Sequence, residues 1–430
     1  MKDQERNLKN LLWYLQGDEN ECKSSELYSK DRRKYLPPIA SPINWYINEV
    51  NRFLFSGGLN FSMEFPDFDS QGIKSEYLEE IINFNDLQSK LYSIWELGAI
   101  EGELLLVPRL VNDLYQIDVY TKDEFEYIYK EGKLYEVIIK RYVHYEDENK
   151  TYIYRMDIDQ EKYTNYPLVP EWEIESFKWE ENGIEFPHEY GFTPVVIIKN
   201  RVKVTEDRGI SDFNHSTTKQ AAAILLATYD ALENIHLFGN PLFISPDPKD
   251  TLDRLKNRVQ VLESSPDSDG RIDSLKFNSI SSQHLELIDK LEKEFNNSMG
   301  IARQDVTPNE MSSLALRILN SSTIAKAESK WTNYVESGLR PLMEMILIMS
   351  SQDGILSSIN RDARETYAIS ILRNENYFPM SPQEQVQNLE VATRMVELGV
   401  DRAQALKETI WSHLSIQEIE ARLNPNLEDI

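Results

Sequence analysis

Chemistry in this chain would have to come mainly from its carboxylates: 72 of 430 residues are Asp or Glu against 46 Lys and Arg, a formal net charge of −26. Pro66-Asp67 followed by Glu131-Gly132-Lys133 has the order of a loose Pro-Asp…Glu-x-Lys pattern. Two such carboxylates could hold magnesium while the lysine steadied a phosphate, which is the chemistry of a metal-dependent nuclease. The intervening span is long, and Glu131-Gly132 reads as a hairpin turn rather than a strand end. Asp267-Ser268-Asp269-Gly270 has the look of a calcium loop, but its glycine falls two positions early and no Glu stands at the twelfth position, so it too reads as a turn. The histidines, His144, His188, His215, His236, His284 and His413, are too far apart to form a His-x-x-x-His metal face. The tyrosines from Tyr115 to Tyr166 could stack on bases. Without an excess of interleaved basic residues, cross-strand packing is the stronger reading. No Gly-x-x-x-x-Gly-Lys, Gly-x-Gly-x-x-Gly or Gly-x-Ser-x-Gly motif is present. The single cysteine, Cys22, excludes an internal disulfide framework and an all-cysteine zinc site. No cofactor or metal is expected.

With 41% hydrophobic residues and seven Trp, the chain can bury a real core. Its charged start does not read as a signal peptide. No apolar run approaches the roughly 20 residues of a membrane helix. The expectation is a soluble, acidic, multi-domain protein that does not bind nucleic acid over a broad surface.

The elements that would position any site follow from periodicity and punctuation. Asn7–Gln16 carries Leu8, Leu11, Leu12 and Leu15 on one helical face, within an arm read as Met1–Pro38. Ser41-Pro42 opens a helix with Trp45, Tyr46, Val50, Phe53 and Leu54 inward and Gly57-Gly58 as its stop. A second helix is predicted over Glu76–Gly98. From Glu103 to Asn200 the period is two, an antiparallel meander with turns at Glu131-Gly132 and Asp147–Asn149. Ser211 or Asp212 then caps a helix to Phe238, about 40 Å long at the α-helical rise and apolar nearly all round at Ala221–Leu226, so that it wants neighbours on every side. A small β-α-β-β insert follows: a strand at Pro241–Ile244, a helix at Pro248–Asn257, and a hairpin of Val259–Leu262 with Arg271–Phe277. Ser281–Met299 returns as a helix with Leu285, Ile288, Leu291, Phe295 and Met299 on one face. Thr307-Pro308-Asn309-Glu310 is a capping box opening a helix to Ser337, which Gly338 and Pro341 break before Leu342–Met349. Tyr367–Leu372 reads as a strand. Capping boxes at Ser381 and Ser415, with Gly399 as a stop and Asp401 as a cap, make the last 50 residues a small helical module.

This order of parts resembles the portal (head-to-tail connector) proteins of tailed double-stranded DNA phages, over about Pro42 to Ile430. The resemblance is carried by Ile94-Trp95-Glu96-Leu97-Gly98 through Gly102–Val107, and by Gly191-Phe-Thr-Pro-Val-Val196, Asn200 and Gly209-Ile-Ser-Asp212. The helix–knob–helix from Asp212 to Gly300 and Ser312-Ser313-Leu314-Ala315-Leu316 complete it; Ser313 stands where the family often has glycine. It implies an α+β subunit with an arm (1–38), a wing (39–210), a stem helix out (211–239), a clip (240–280), a stem helix back (281–300), a tunnel loop, long helix and rest of the wing (301–380), and a helical crown (381–430). It further implies a non-enzymatic homo-oligomeric ring of about twelve subunits at one capsid vertex, assembled in the host cytoplasm. Its partners would be the major capsid protein, terminase, head-to-tail adaptors and the double-stranded DNA passing through the channel, with no membrane. Arg303, Gln304, Asp305, Thr307 and Asn309 would face DNA from the tunnel loop, and Lys290 and Lys293 would form basic rings on the stem. The competing expectations are the nuclease built on Asp67, Glu131 and Lys133, and a cellular scaffold with a helical interaction module.

Overall fold

The computed structural model describes residues 41–55, 60–64, 77–145, 150–203, 207–238, 242–245, 261–263, 273–275, 282–301, 313–355, 368–372, 382–409, 419 and 423. The chain is α+β and divides into two compact units, Met1–Asn48 with Phe213–Arg303, and Glu49–Asp212 with Gln304–Ile430. No described helix is long and apolar enough to cross a membrane.

In the larger unit, the predicted helix over 76–98 is two helices, α2 (77–84) and α3 (Leu87–Glu101). Buried Asn85 makes the break: its Nδ2 donates to Ile81 O (2.9 Å) and Tyr115 O (2.7 Å), and its Oδ1 accepts Ile117 N (2.7 Å). Asp86 then turns left-handed, at φ 48°. Gly98 does not stop α3. It clears room for Tyr334, whose hydroxyl would lie 1.9 Å from any Cβ there. The stop is Gly102, at φ 85°.

The predicted meander is instead two sheets. One has the order β10-β2-β3, from β2 (Glu103–Val111), β3 (Leu114–Thr121) and β10 (Val196–Lys199). β10 returns to pair with β2, Ile198 opposite Leu104, rather than with its predecessor. The other runs β4-β5-β6-β7-β9, from β4 (Phe125–Lys130), β5 (Lys133–Tyr145), β6 (Lys150–Ile158), β7 (Lys162–Asn165) and β9 (Ile184–Pro187), with β8 (Val169–Pro170) beside β6. The short α4 (Trp179–Asn182) precedes β9. Leu105, Val107 and Tyr120 of the first sheet and Phe125, Val137, Ile139, Met156 and Ile158 of the second share one core. Glu131 and Gly132, at φ 52° and 76°, form the expected hairpin turn, since a two-residue loop of that hand matches the strand twist.

The long helix holds the main surprise. α7 (Ser313–Leu319) is interrupted at buried Asn320, and α8 (Ser321–Trp331) passes through a π-helical segment (Thr332–Leu339) into α9 (Arg340–Gln352). Residues 321 to 352 form one 32-residue helix that neither Gly338 nor Pro341 breaks. The Arg340 N–H bonds to Val335 O, five residues back; this widened turn suits the proline that follows, which has no N–H to give. At Gly338 a Cβ would lie 2.8 Å from Ile198 of β10, so this glycine serves close packing. The strand expected at Tyr367–Leu372 is β14 (Ala368–Leu372), antiparallel to β1 (Asn60–Glu64). In the helical module, α10 (Pro382–Glu397) ends at Gly399 (φ 95°), and Asp401 caps α11 (Arg402–Thr409) through Ala403 N at 2.9 Å.

In the smaller unit, α1 (Pro42–Leu54, running into the larger unit) is capped by Ser41, whose Oγ accepts Ile43 N at 3.2 Å. α5 (His215–Phe238) packs against α6 (Ser282–Met299). Between them in sequence lies a three-stranded sheet of β11 (Leu242–Ser245), β12 (Val261–Glu263) and β13 (Asp273–Leu275). The hairpin expected of the last two strands is absent. β11 is central, parallel to β12 and antiparallel to β13, because the long connection before β12 brings it alongside β11 in the same direction. The helix expected at 248–257 and the turn at 267–270 lie outside the described residues.

Candidate functional site

Among the described residues, the densest meeting of buried polar groups is where residues 200–203 and 207–212 meet the end of α3 and the start of β2. Two glycines permit the approach. A Cβ on Gly209 would lie 2.2 Å from Gly102 O, and one on Gly102 would lie 2.4 Å from Ser211 N. Backbone then ties to backbone: Asn200 N to Gly102 O and Asp212 N to Ala99 O, both at 2.9 Å.

Ser211 or Asp212 was expected to cap α5. The cap is Asn214, whose Oδ1 accepts Ser216 N at 2.9 Å and Thr217 N at 3.0 Å. Asp212 is instead buried and paired with Lys330 of α8 at 2.7 Å, with Arg201 Nε at 3.3 Å. The Lys330 ammonium also donates to Asn200 Oδ1 (2.6 Å) and Asn200 O (3.2 Å), and lies 5.5 Å from the centre of the Trp95 ring. Asn333 and Tyr334 of the π segment bond to the same Asn200, at 2.8 Å and 3.2 Å. Burial lowers the Lys330 pKa to about 8 against the opposing pull of Asp212. Burial alone would raise Asp212, but Lys330, Lys326 and Arg201 together hold it below the usual carboxylate range. With three acceptors around its three N–H bonds, Lys330 is built as an anchor and not as a reactive amine.

A second buried acid lies close by. Glu103, fully buried, pairs with Arg208 Nε at 2.7 Å and accepts from the Tyr127 hydroxyl at 2.9 Å. The Arg208 guanidinium lies over the Phe125 and Tyr127 rings, 4.9 Å from each centre. At the far end of the long helix, Asp353 accepts from the hydroxyls of Tyr115 and Tyr190. Both phenols are held well above their ordinary range, chiefly by burial. His188 stacks on Tyr190 (centroids 4.6 Å apart) and meets Tyr163 edge-on at 5.0 Å; burial lowers its pKa.

Of the residues read from the sequence as DNA-facing, Lys290 and Lys293 are described. Arg303, Gln304, Asp305, Thr307 and Asn309 lie outside the described residues, as do Asp67, Cys22 and the Leu8/Leu11/Leu12/Leu15 face. Lys290 is exposed on α6, and Lys293, three positions on, is exposed and paired with Asp289 at 2.7 Å. Glu131 and Lys133 sit exposed at the tip of the β4–β5 hairpin, with open space around Gly132 and no cradle for a metal. No group of three or more His, Cys, Asp or Glu able to hold a metal occurs among the described residues. The tyrosines mostly pack, Tyr115 and Tyr120 being buried, while Tyr142 is 65% exposed.

Sequence reading singled out Asn200, Gly209 and Asp212 but missed Lys330. The signal was present. Thr323, Ala327, Lys330 and Tyr334 follow helical spacing, which places a lysine on an otherwise inward stripe.

No family model matches the sequence, and no curated protein does either. Among solved structures, a chain described as "Virion of native gene transfer agent (GTA) particle" is similar over 93% of this chain and 97% of that chain, at 9% identity and a TM-score of 0.39. Values this low transfer neither fold nor function.

Proposed function

We propose that the chain is a portal subunit, forming a ring at one vertex of a phage-like capsid through which DNA is packaged and ejected. The observation that carries this reading is the sequence of parts in the smaller unit. A 24-residue helix leads out, a three-stranded sheet too small to stand alone follows, and an 18-residue helix packs back against the first. On this reading α5 and α6 are the stem, 240–280 the clip that terminase and then adaptors grip, and 381–430 the crown. Arg303, Gln304, Asp305, Thr307 and Asn309 line the channel as a tunnel loop, with Lys290 and Lys293 on the stem below.

Two further features suit a ring. Leu285 and Leu287 of α6 are 59% and 49% exposed in the single chain, as expected of a helix whose upper half packs on a neighbouring subunit. The middle of α5 is less telling than its composition promised, since Ala221, Ala222, Ile224 and Leu225 are already buried within one chain. A charge of −26 per subunit suits a channel along which DNA must slide, because every phosphate neutralised by Lys or Arg adds affinity and hence friction.

Negative-stain electron microscopy of the purified protein, with its solution mass, tests the ring. Closed particles of about twelve subunits around a duplex-wide hole are the expected result. A monomer that makes no ring even with scaffold and capsid proteins supplied would end the proposal. Deleting Ile301–Val306 should spare assembly and abolish packaging.

A further inference from the structure

The buried residues of the 32-residue helix form two stripes that do not belong to one α-helix. Thr323, Ala327, Lys330, Trp331, Tyr334 and Val335 make the first; Leu339, Leu342, Met343, Ile346, Leu347, Met349 and Ser350 make the second. On an unbroken α-helix the stripes would be offset by about one residue's rotation, ~100°. The π segment between them absorbs that residue and turns both stripes inward. The π segment itself lies against β10. Gly338, at the end of the π segment, packs on Ile198 of β10, while Lys330, Asn333 and Tyr334 all bond to Asn200, directly after β10.

We propose that the Lys330–Asp212 pair is a latch that holds this helix in its π register and, in the same contact, fixes Asn200 and residues 209–212 against α3 and β2. With the latch made, both stripes face in. With it broken, the first half of the helix is free to turn by one residue toward the α register, and Asn200 and Asp212 lose their partners together. The two compact units divide between Asp212 and Phe213, so the latch sits on the last residue before the chain leaves the larger unit. This is a conformational device in the fold of one chain, and it stands or falls independently of the portal reading.

Hydrogen–deuterium exchange on the full-length protein tests it, with wild type, Lys330→Met, Asp212→Asn and the double variant compared. Lys330→Met should raise exchange on the order of a hundredfold in both 209–214 and 332–339, leaving 133–145 unchanged. Asp212→Asn should raise it in the same two segments by less, since Lys330 can shed a proton and still donate its two remaining N–H bonds to Asn200. The double variant, which removes both charges of the pair and leaves Arg201 and Lys326 beside it, should recover part of the protection in both. Loss confined to one segment, or effects that simply add in the double variant, would overturn the latch. If Lys330→Met does not fold, Asp212→Asn decides alone: joint loss in both segments supports the latch, and an unchanged π segment refutes it.

Discussion

Two ion pairs of identical length sit in opposite surroundings. Asp212 and Lys330 are 2.7 Å apart with side chains 0% and 3% exposed; Asp289 and Lys293 are also 2.7 Å apart, with side chains 44% and 54% exposed. The first ties three distant segments of the larger unit, and the second joins neighbouring turns of α6. Distance does not rank them. Removing two charges from water costs about what their attraction returns, so the buried pair is worth little as a net stabiliser, but losing either partner alone strands a charge. The exposed pair was never desolvated and has little to lose.

The largest test of that contrast is Lys330→Met, which should cost about 3–5 kcal/mol in urea unfolding, with part of it regained when Asp212 is also neutralised. A single-variant cost below about 1 kcal/mol would mean that water reaches the pair. Gly98→Ala comes next, because its methyl would press on Tyr334 beside the same cluster; overpacking of this kind costs about 1–3 kcal/mol, read as a shift in the urea midpoint. His188 extends the contrast to pH. Its folded-state pKa lies below the unfolded value because it is buried, so the unfolded state takes up the proton first. Stability should therefore be full above about pH 6.5 and fall as pH drops through the histidine range, while His188→Phe flattens that part of the profile. Smallest of all, Lys293→Ala should change stability by no more than about 0.5 kcal/mol, less still in high salt.

What could be read in advance was whatever short-range periodicity decides. The hairpin at Glu131-Gly132, the caps at Ser41 and Asp401, the stop at Gly399 and the strand at Ala368–Leu372 were all legible, because each depends on a few adjacent residues. What failed depended on partners far along the chain. Asn85 splits a helix by bonding to Tyr115 and Ile117 across a strand. Gly98 and Gly338 look like stops but are made necessary by Tyr334 and Ile198. Asp212 has every local credential of a helix cap, yet its partner is 118 positions away. β10 skips its neighbours to pair with β2, which no alternation pattern encodes.

The π segment also gives the helix a countable length. Its eight residues hold one more than the same rise of α-helix would need, so the reading frame of the fold depends on that extra codon. An in-frame deletion of a single residue between Val335 and Ser337 would straighten the helix without shortening it by a full turn. It would leave both buried stripes facing inward on a plain α-helix but put Pro341, which has no N–H and crowds the carbonyl four residues back, in an ordinary α-helical turn. A single-codon loss here would thus be taken up by the π segment itself, whereas a single-codon gain would have to be absorbed by a further widened turn or would swing one stripe by about 100°.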